Sequence, residues 1–250
     1  MVNASDIKVV LPCVFENPDP IWMMTHTCER FGIEPKLFGI RETYAGWIDL
    51  KVDKYLKVAK EVQAEGYSHI LYSDARDAWF CSGLDEIAEK YNALGTPPIL
   101  LSAQRHKFCG GYDKWYDMIE WDRSRLLPYV GTPGQLCEVE ALIQALSYMD
   151  ANYDRLTLPD DDPPYWIKFM VDFPGSVTLD HGSHIFMNVG DMGHGEWTIK
   201  DGRAINLLTD SKPSVLHFNG GSSDCLKGKW DQLEQHWRAF GYKESPPWES

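Results

Sequence analysis

The stretch from Ile70 to Phe80 constrains this chain more than any other. It begins as an apolar, β-prone run and ends abruptly in two acids, Asp74 and Asp77, three positions apart. The pattern predicts a buried strand whose carboxyl end delivers both carboxylates into a cleft, where α/β proteins bind ligands. Because two close carboxylates repel each other, a divalent cation such as Mg²⁺ or Mn²⁺, carrying a pyrophosphate, is the natural occupant. The alternative is structural, with Asp74 opening a turn and Asp77 capping a helix.

The first part of the chain alternates between strand and helix patterns. Predicted strands cover 7–15, 36–40, 70–73 and 98–103, and predicted helices cover 21–31, 49–65 and 84–92. In the helix at 49–65, the apolar side chains recur on one face. The β-α-β-α-β-α-β order predicts an α/β fold with a central, mostly parallel sheet flanked by helices.

The second part of the chain is richer in Pro, Gly and aromatic residues and has less regular periodicity. We predict helices at 138–149, 166–172 and 229–240, and short strands at 185–189 and 215–218. The sequence contains no internal repeat and no low-complexity linker. We therefore expect one domain over residues 1–250, with both parts contributing to one sheet.

Composition narrows the functional classes. The formal net charge of −13 disfavours nonspecific binding to nucleic acid phosphates. The sequence has no run of 18 apolar residues and no basic segment followed by an apolar one at its start, so we expect no membrane association. We expect the protein to be cytoplasmic. If it comes from a virus or a phage, we expect it to act in the cytoplasm of the host. The six cysteines lack CxxC spacing, which argues against a zinc site or a disulfide framework.

Two further segments carry candidate chemistry. Asp160, Asp161 and Asp162 are consecutive acids between prolines, either a solvated loop or a source of a general base. His217 leaves an apolar strand and enters a Gly-rich turn, where it is either structural or a ligand. Backbone N–H groups in that turn, and Lys227 beyond it, could bind an anion.

The segment from Leu179 to Phe186 has the pattern of a turn between strands. Its histidines, His181 and His184, lack the i,i+4 helical spacing of a zinc protease. The chain also lacks GxGxxG after the first strand, GxxxxGK[ST], GxSxG and HExxH. These absences argue against Rossmann dehydrogenases, P-loop NTPases, α/β-hydrolases and zincins.

Five short motifs follow one another along the chain. They are hydrophobic-Ser-Asp-x-x-Asp at 72–77, Leu-Ser-Ala at 101–103, the Asp run at 160–162, Leu-Asp-His-x-x-x-Ile-Phe at 179–186 and Val-x-His-x-Asn-Gly at 215–220. In this order they resemble the glycosyltransferase domain of procollagen lysyl hydroxylases, from about Val9 to Trp230. The resemblance implies a GT-A-like, Rossmann-type sandwich and a hexosyltransferase. Such an enzyme uses Mn²⁺ (or Mg²⁺) to move a sugar from a UDP-sugar to a hydroxyl acceptor.

The resemblance also assigns roles to residues of this sequence. Asp74 and Asp77 form a DxxD motif that would bind the metal with His217 as the third ligand. Residues 1–104 would form the nucleotide-sugar half and 105–250 the acceptor half. The residues implied or expected to contact the donor are Tyr44, Trp47, Lys51, Ser73, Asp74, Asn219, Gly220 and Lys227.

Asp161 and Asp162 match the family's acidic run near the transferred sugar and are the candidate catalytic residues. In an inverting reaction one of them would take the proton of the acceptor hydroxyl. In a retaining reaction a leaving phosphate oxygen could accept that proton instead. No hydroxylase domain follows in the sequence, so we expect a stand-alone transferase.

The sequence departs from the family pattern at three places. Gln104 replaces a Glu, Pro163 replaces a Gln, and the family's Leu-Asn-Ser-Gly segment is unrecognisable in 129–134. These departures keep one alternative open, an inactive nucleotide-sugar-binding module. A metal-dependent phosphohydrolase is a second alternative, because clustered Asp and His residues also serve that chemistry.

The acceptor hydroxyl could belong to a protein, a glycan or a hydroxymethylated DNA base. For the DNA acceptor, a local basic patch could form from Arg105, His106, Lys107, Arg123 and Arg125. The alternative for these side chains is ordinary surface charge.

Overall fold

The computed structural model of the protein describes residues 1–13, 21–40, 46, 48–107, 113–119, 122, 124–154, 161–193, 195–218 and 237–243. Within these ranges the α-helices are α1 (Trp22–Arg30), α2 (Tyr55–Ala64), α3 (Leu84–Ala93), α4 (Asp113–Tyr116), α5 (Val139–Asn152) and α6 (Pro163–Asp172). The strands are β1 (Ile7–Pro12), β2 (Lys36–Phe38), β3 (His69–Ser73), β4 (Ala78–Phe80), β5 (Ile99–Gln104), β6 (Tyr129–Glu138), β7 (Thr178–Asp180), β8 (Phe186–Asn188), β9 (Trp197–Lys200), β10 (Arg203–Asn206) and β11 (Val215–His217).

The central sheet has the strand order β2-β1-β3-β6-β5-β7. β6 runs antiparallel to its neighbours β3 and β5, whereas the other adjacent pairs are parallel. The predicted α/β class with a mostly parallel sheet is therefore confirmed. Since β6 and β7 come from the second part of the chain, both parts contribute to this sheet. The division into a donor half and an acceptor half stays a prediction.

Helices cover both faces of the central sheet. Side chains alternate between the two faces along a strand, so Ile70 and Tyr72 pack in one core with α2, α5 and α6. Leu71, between them, packs in a second core with α1 and α3. All five residues of β3 are buried. This double burial explains why the middle of β3, Ile70-Leu71-Tyr72, is continuously apolar.

A second sheet lies at the carboxyl end of β3. It has the order β4-β11-β8, with β11 antiparallel to β4 and parallel to β8. Trp79, Met187 and Leu216, one from each strand, belong to a third core. Because β4 follows β3 after four residues, this small sheet carries the chain directly away from the end of β3.

Several elements differ from the sequence predictions. The predicted helix at 49–65 begins as a π-helix, Asp49–Lys54, before α2. The strands β4, β6, β7, β9 and β10 were not predicted. Most of the predicted terminal helix at 229–240 lies outside the described residues. Within the described part of the chain, no helix combines the length and the apolarity that a membrane crossing requires.

Candidate active site

The backbone pairing of the small sheet brings Asp77 next to His217. Ala78 lies opposite His217 in the antiparallel β4–β11 ladder. The N–H of Phe218 donates to the carbonyl of Asp77 at 2.8 Å, which extends the ladder by one residue. Asp77 precedes a strand rather than a helix, so the helix-capping alternative for Asp77 is wrong.

The side chains converge at this point. His217 Nε2 lies 3.1 Å from Asp77 Oδ1 and 3.8 Å from Asp74 Oδ2. Burial alone lowers the pKa of His217, but the carboxylates of Asp77 and Asp74 outweigh burial and raise that pKa above its ordinary value. His217 is buried, with 8% of its surface exposed. The imidazole thus faces the two acids of the DxxD motif.

Asp74 is also held by groups from β3 itself, from the neighbouring strand β6 and from the π-helical segment. Its backbone N–H donates to Pro133 O at 2.8 Å. The Tyr72 hydroxyl donates to Asp74 Oδ1 at 2.8 Å, and Lys51 Nζ lies 3.3 Å from the same oxygen. Burial, followed by the charge of Asp74, raises the pKa of Tyr72 well above its ordinary value, so the phenol remains a donor.

Lys51 joins the DxxD motif to the acidic run. It lies in the π-helical segment, is buried, and its Nζ is 3.0 Å from Asp162 Oδ1. Burial acts to lower the pKa of Lys51, but Asp162 and Asp74 outweigh burial and raise it. Lys51 is therefore a fixed positive charge between carboxylates that are distant in sequence.

The acidic run is not a solvated loop at Asp162. This residue is 1% exposed, and it directly precedes α6, which begins at Pro163. Its side chain makes no capping hydrogen bond with that helix. Among the described residues, Asp162 Oδ2 has no hydrogen-bond partner. One oxygen of the Asp162 carboxylate is thus paired with Lys51. The other makes no hydrogen bond with any residue that the structure describes.

Asp161, the neighbour of Asp162, has a raised pKa. The Asp162 N–H donates to Asp161 Oδ1 at 2.9 Å. Burial, and then the negative charge of Asp162, raise the pKa of Asp161 to about 7. A carboxyl group with such a pKa can exchange a proton near neutral pH.

Asn188 also lies in this site, although we did not predict it from the sequence. Its Oδ1 lies 3.2 Å from His217 Nδ1, and its Nδ2 donates to Ala103 O at 3.0 Å. A polar residue within the apolar run Ile185–Val189 was the available indication in the sequence.

The predicted turn between Leu179 and Phe186 has a structural explanation. Asp180 is buried and accepts backbone N–H groups from His184, Ile185 and Phe186 at 2.9, 2.8 and 2.9 Å. These bonds connect β7 to β8. The Leu-Asp-His motif therefore positions β8, and with it Asn188, rather than supplying a metal ligand.

Ser73 is fully buried, and its hydroxyl donates to the carbonyl of Asp74 at 2.9 Å. Its role in donor binding stays a prediction. The predicted residues Tyr44, Trp47, Asn219, Gly220 and Lys227 lie outside the described residues, as does Asp160.

Three cations of the proposed basic patch, Arg105, Lys107 and Arg125, have acidic neighbours. Arg105 forms an ion pair with Glu196 at 2.8 Å, and Arg125 pairs with Asp122 at 2.9 Å. Lys107 Nζ lies 3.9 Å from Asp117 Oδ1. Arg123 lies outside the described residues. These pairs favour the interpretation as ordinary surface charge.

Comparison with known proteins decides the family. A protein-family model described as the PLOD GT domain matches residues 8–239. The chain belongs to the PLOD GT domain family. Its predicted resemblance to the lysyl hydroxylase glycosyltransferase domain is thereby confirmed, and glycosyl transfer is its class of activity.

A solved structure shares the fold of this PLOD GT domain. It is a glycosyltransferase involved in the glycosylation of the major capsid of PBCV-1. The two chains have a TM-score of 0.57 and 10% sequence identity, over 92% of this chain and 98% of that chain. At that identity the likeness concerns the fold alone. No curated protein matches the chain.

The donor set at the DxxD motif fits a hard divalent cation in part. Within the described ranges no group of three or more His, Cys, Asp or Glu side chains forms a complete metal-binding cluster. Mg²⁺-like ions, however, take one or two protein carboxylates and complete their shell with water and substrate phosphates. Adjacent ligands of such an ion lie ~3 Å apart, close to the 3.1 Å between His217 Nε2 and Asp77 Oδ1. Asp74, Asp77 and His217 can therefore supply the protein's share of the ligands.

Proposed function

We propose that this PLOD GT domain transfers a hexose from a UDP-sugar to a hydroxyl acceptor, and that Asp74, Asp77 and His217 hold Mn²⁺ (or Mg²⁺). One observation carries the proposal. The imidazole of His217 lies 3.1 Å from Asp77 Oδ1 and 3.8 Å from Asp74 Oδ2, although these residues are far apart in sequence. Two carboxylates and an imidazole facing one point suit a divalent cation that binds oxygen and nitrogen.

The charges of the site support the need for a cation if the donor is a diphosphate. Asp74, Asp77, Asp161 and Asp162 place more negative charge in this region than Lys51 and His217 balance, so an anionic donor needs added positive charge to bind. When bound, the cation supplies that charge and stabilises the diphosphate as the glycosidic bond breaks. Lys51 provides a second positive charge near Asp74.

Other donor contacts follow from the family pattern. Tyr44 or Trp47 would stack against the nucleotide, and Asn219 and Gly220 would present polar groups to it. Lys227 would neutralise phosphate oxygens. These five residues remain candidates for substitution experiments.

Proton transfer favours Asp161 over Asp162 as the general base. A base works best when its pKa lies near the working pH, and the pKa of Asp161 is raised to about 7. Asp162 is instead paired with Lys51 at 3.0 Å, which favours a role in positioning. In an inverting reaction Asp161 would take the proton of the acceptor hydroxyl. A retaining reaction would leave that proton to a phosphate oxygen of the leaving group.

A hydroxyl on a protein or a glycan is the favoured acceptor. Three of the cations considered for DNA binding have acidic neighbours, as with Arg105 and Glu196. A negatively charged polymer would therefore have to compete with these ion pairs.

The decisive assay is a screen of UDP-sugars with Mn²⁺ that follows the release of UDP. We expect one sugar donor to be turned over, even slowly and with water as acceptor, and excess EDTA to stop the reaction. UDP binding without release from any UDP-sugar would favour the inactive module. Release of inorganic phosphate instead of UDP would favour the phosphohydrolase.

A further inference from the structure

We infer that Asn188 is a positioning residue that accepts the Nδ1–H of His217 and so directs Nε2 toward Asp77 and Asp74, where a bound cation would take the Nε2 lone pair. The inference rests on the proposed function in so far as Nε2 is taken to be a metal donor. The hydrogen bond from Nδ1 to Asn188 itself requires no metal, so it can be tested separately.

The orientation of the Asn188 amide follows from its neighbours. Asn188 Nδ2 lies 3.0 Å from the carbonyl oxygen of Ala103, which can only accept a hydrogen bond. It also lies 3.5 Å from Ser102 Oγ, whose own hydrogen is donated to Gly131 O at 2.8 Å. Rotating the amide by half a turn would place Asn188 Oδ1 against these acceptor oxygens. The NH₂ group must therefore face Ala103.

The orientation of the amide then determines the form of the imidazole. Asn188 Oδ1 lies 3.2 Å from His217 Nδ1, and an amide oxygen can only accept. His217 Nδ1 must therefore carry a hydrogen. The other nitrogen, Nε2, faces Asp77 Oδ1 at 3.1 Å, so it also carries a hydrogen when no metal is bound and would give its lone pair to a bound cation. Partners of this kind orient ligating histidines and make them better donors.

The packing leaves the amide little freedom to move. Asn188 is buried and pairs in register with His217 across the parallel β8–β11 ladder. A Cβ atom added at Gly131 would lie 2.7 Å from Asn188 Nδ2 and 2.8 Å from Ser102 Oγ. Gly131 is thus required for the amide to fit beside β5 and β6. This close fit holds Asn188 in one orientation.

The first test is the Nδ1–H bond of His217 in metal-free protein. Spectra of the ¹⁵N-labelled imidazole at about pH 5, below the ordinary pKa of histidine, show how fast Nδ1–H exchanges with water. The His217 signals are those missing from His217→Gln. We expect a slowly exchanging Nδ1–H in the wild type and faster exchange in Asn188→Ala. A rapidly exchanging Nδ1–H in the wild type, or unchanged exchange in Asn188→Ala, would overturn the inference. If Asn188→Ala does not fold, the wild-type spectrum decides alone.

The second test is the affinity for Mn²⁺, measured by titration calorimetry in the presence of UDP. We expect Asn188→Ala to bind Mn²⁺ ~10–100-fold more weakly than the wild type. The matched control is Asn206→Ala in β10, because Asn206 is fully buried and its Oδ1 accepts a backbone N–H from Leu208. Equal losses in both variants would show a merely structural role and contradict the inference. If the wild type binds no Mn²⁺, the proposed metal role fails, and the exchange of Nδ1–H still decides the role of Asn188.

Discussion

Lys51 Nζ lies 3.0 Å from Asp162 Oδ1, and the side chains are 8% and 2% exposed. The same ammonium lies 3.3 Å from Asp74 Oδ1. A single buried cation therefore joins an acid at the end of β3 to an acid at the start of α6. Breaking a buried pair leaves an uncompensated charge, which costs far more than breaking an exposed pair.

Lys51→Met should lower the free energy of unfolding by ~3–5 kcal/mol. The reason is that Asp162 would remain buried without its cation. Urea unfolding of the metal-free protein measures the change. Lys60→Met, on the exposed face of α2, is the control and should stay within ~0.5 kcal/mol of the wild type. A loss below ~1 kcal/mol for Lys51→Met, typical of exposed pairs, would contradict this account.

Asp77→Ala should reduce Mn²⁺-dependent UDP release by more than ~100-fold. The loss of a residue that only orients a metal ligand costs ~10–100-fold, and the loss of a direct ligand should cost more. Circular dichroism should show an intact fold. Glu89→Ala, at an exposed position of α3, should retain full activity. Unchanged turnover in Asp77→Ala would remove the proposed metal role.

The stability of the metal-free protein should fall between about pH 4 and pH 7 through Asp161. Its pKa is raised from 3.8 to about 7 in the folded protein, so the folded state binds more protons than the unfolded state within that range. Stability therefore decreases as the pH rises through it. In Asp161→Asn this part of the decrease should disappear. Unfolding curves of the two proteins across this range measure the difference, and parallel pH profiles would contradict the raised pKa.

Gly134→Ala should destabilise the protein by ~1–3 kcal/mol, the usual cost of overpacking a core. An added Cβ would lie 2.3 Å from the ring of Phe186, and Gly134 pairs with Ser73 at the end of β3. Thermal unfolding measures the effect. Wild-type stability in Gly134→Ala would show that β8 can move away from β6 at no cost.

The elements that could be predicted from the sequence are those in which burial determines the pattern of apolar residues. β3 is buried on both faces, and its apolar run ends where the strand ends, so both the strand and the position of Asp74 followed from the sequence. The proximity of Asp77 and His217 came from the family pattern and not from local propensity. It depends on the β4–β11 pairing, which joins segments far apart in the chain.

β6 could not be recognised from local sequence because its composition is typical of a turn. Gly131 and Gly134 are present because side chains of β5 and β8 approach the backbone closely there, and Pro133 supplies the carbonyl that holds Asp74. Tertiary packing therefore determines this strand.

The hairpin of β9 and β10 did have a local indication that the prediction missed. Asp201 and Gly202 link the two strands with φ of 53° and 69°. An Asp-Gly pair with two positive φ angles is the preferred two-residue hairpin turn.

The central claim is that Asp74, Asp77 and His217 hold one divalent cation. Anomalous diffraction from crystals grown with Mn²⁺ and UDP tests it most directly. The account predicts an anomalous peak within ~2–2.5 Å of the Asp77 carboxylate and of His217 Nε2. A peak bound by other side chains, or UDP bound in these crystals with no such peak, would contradict it.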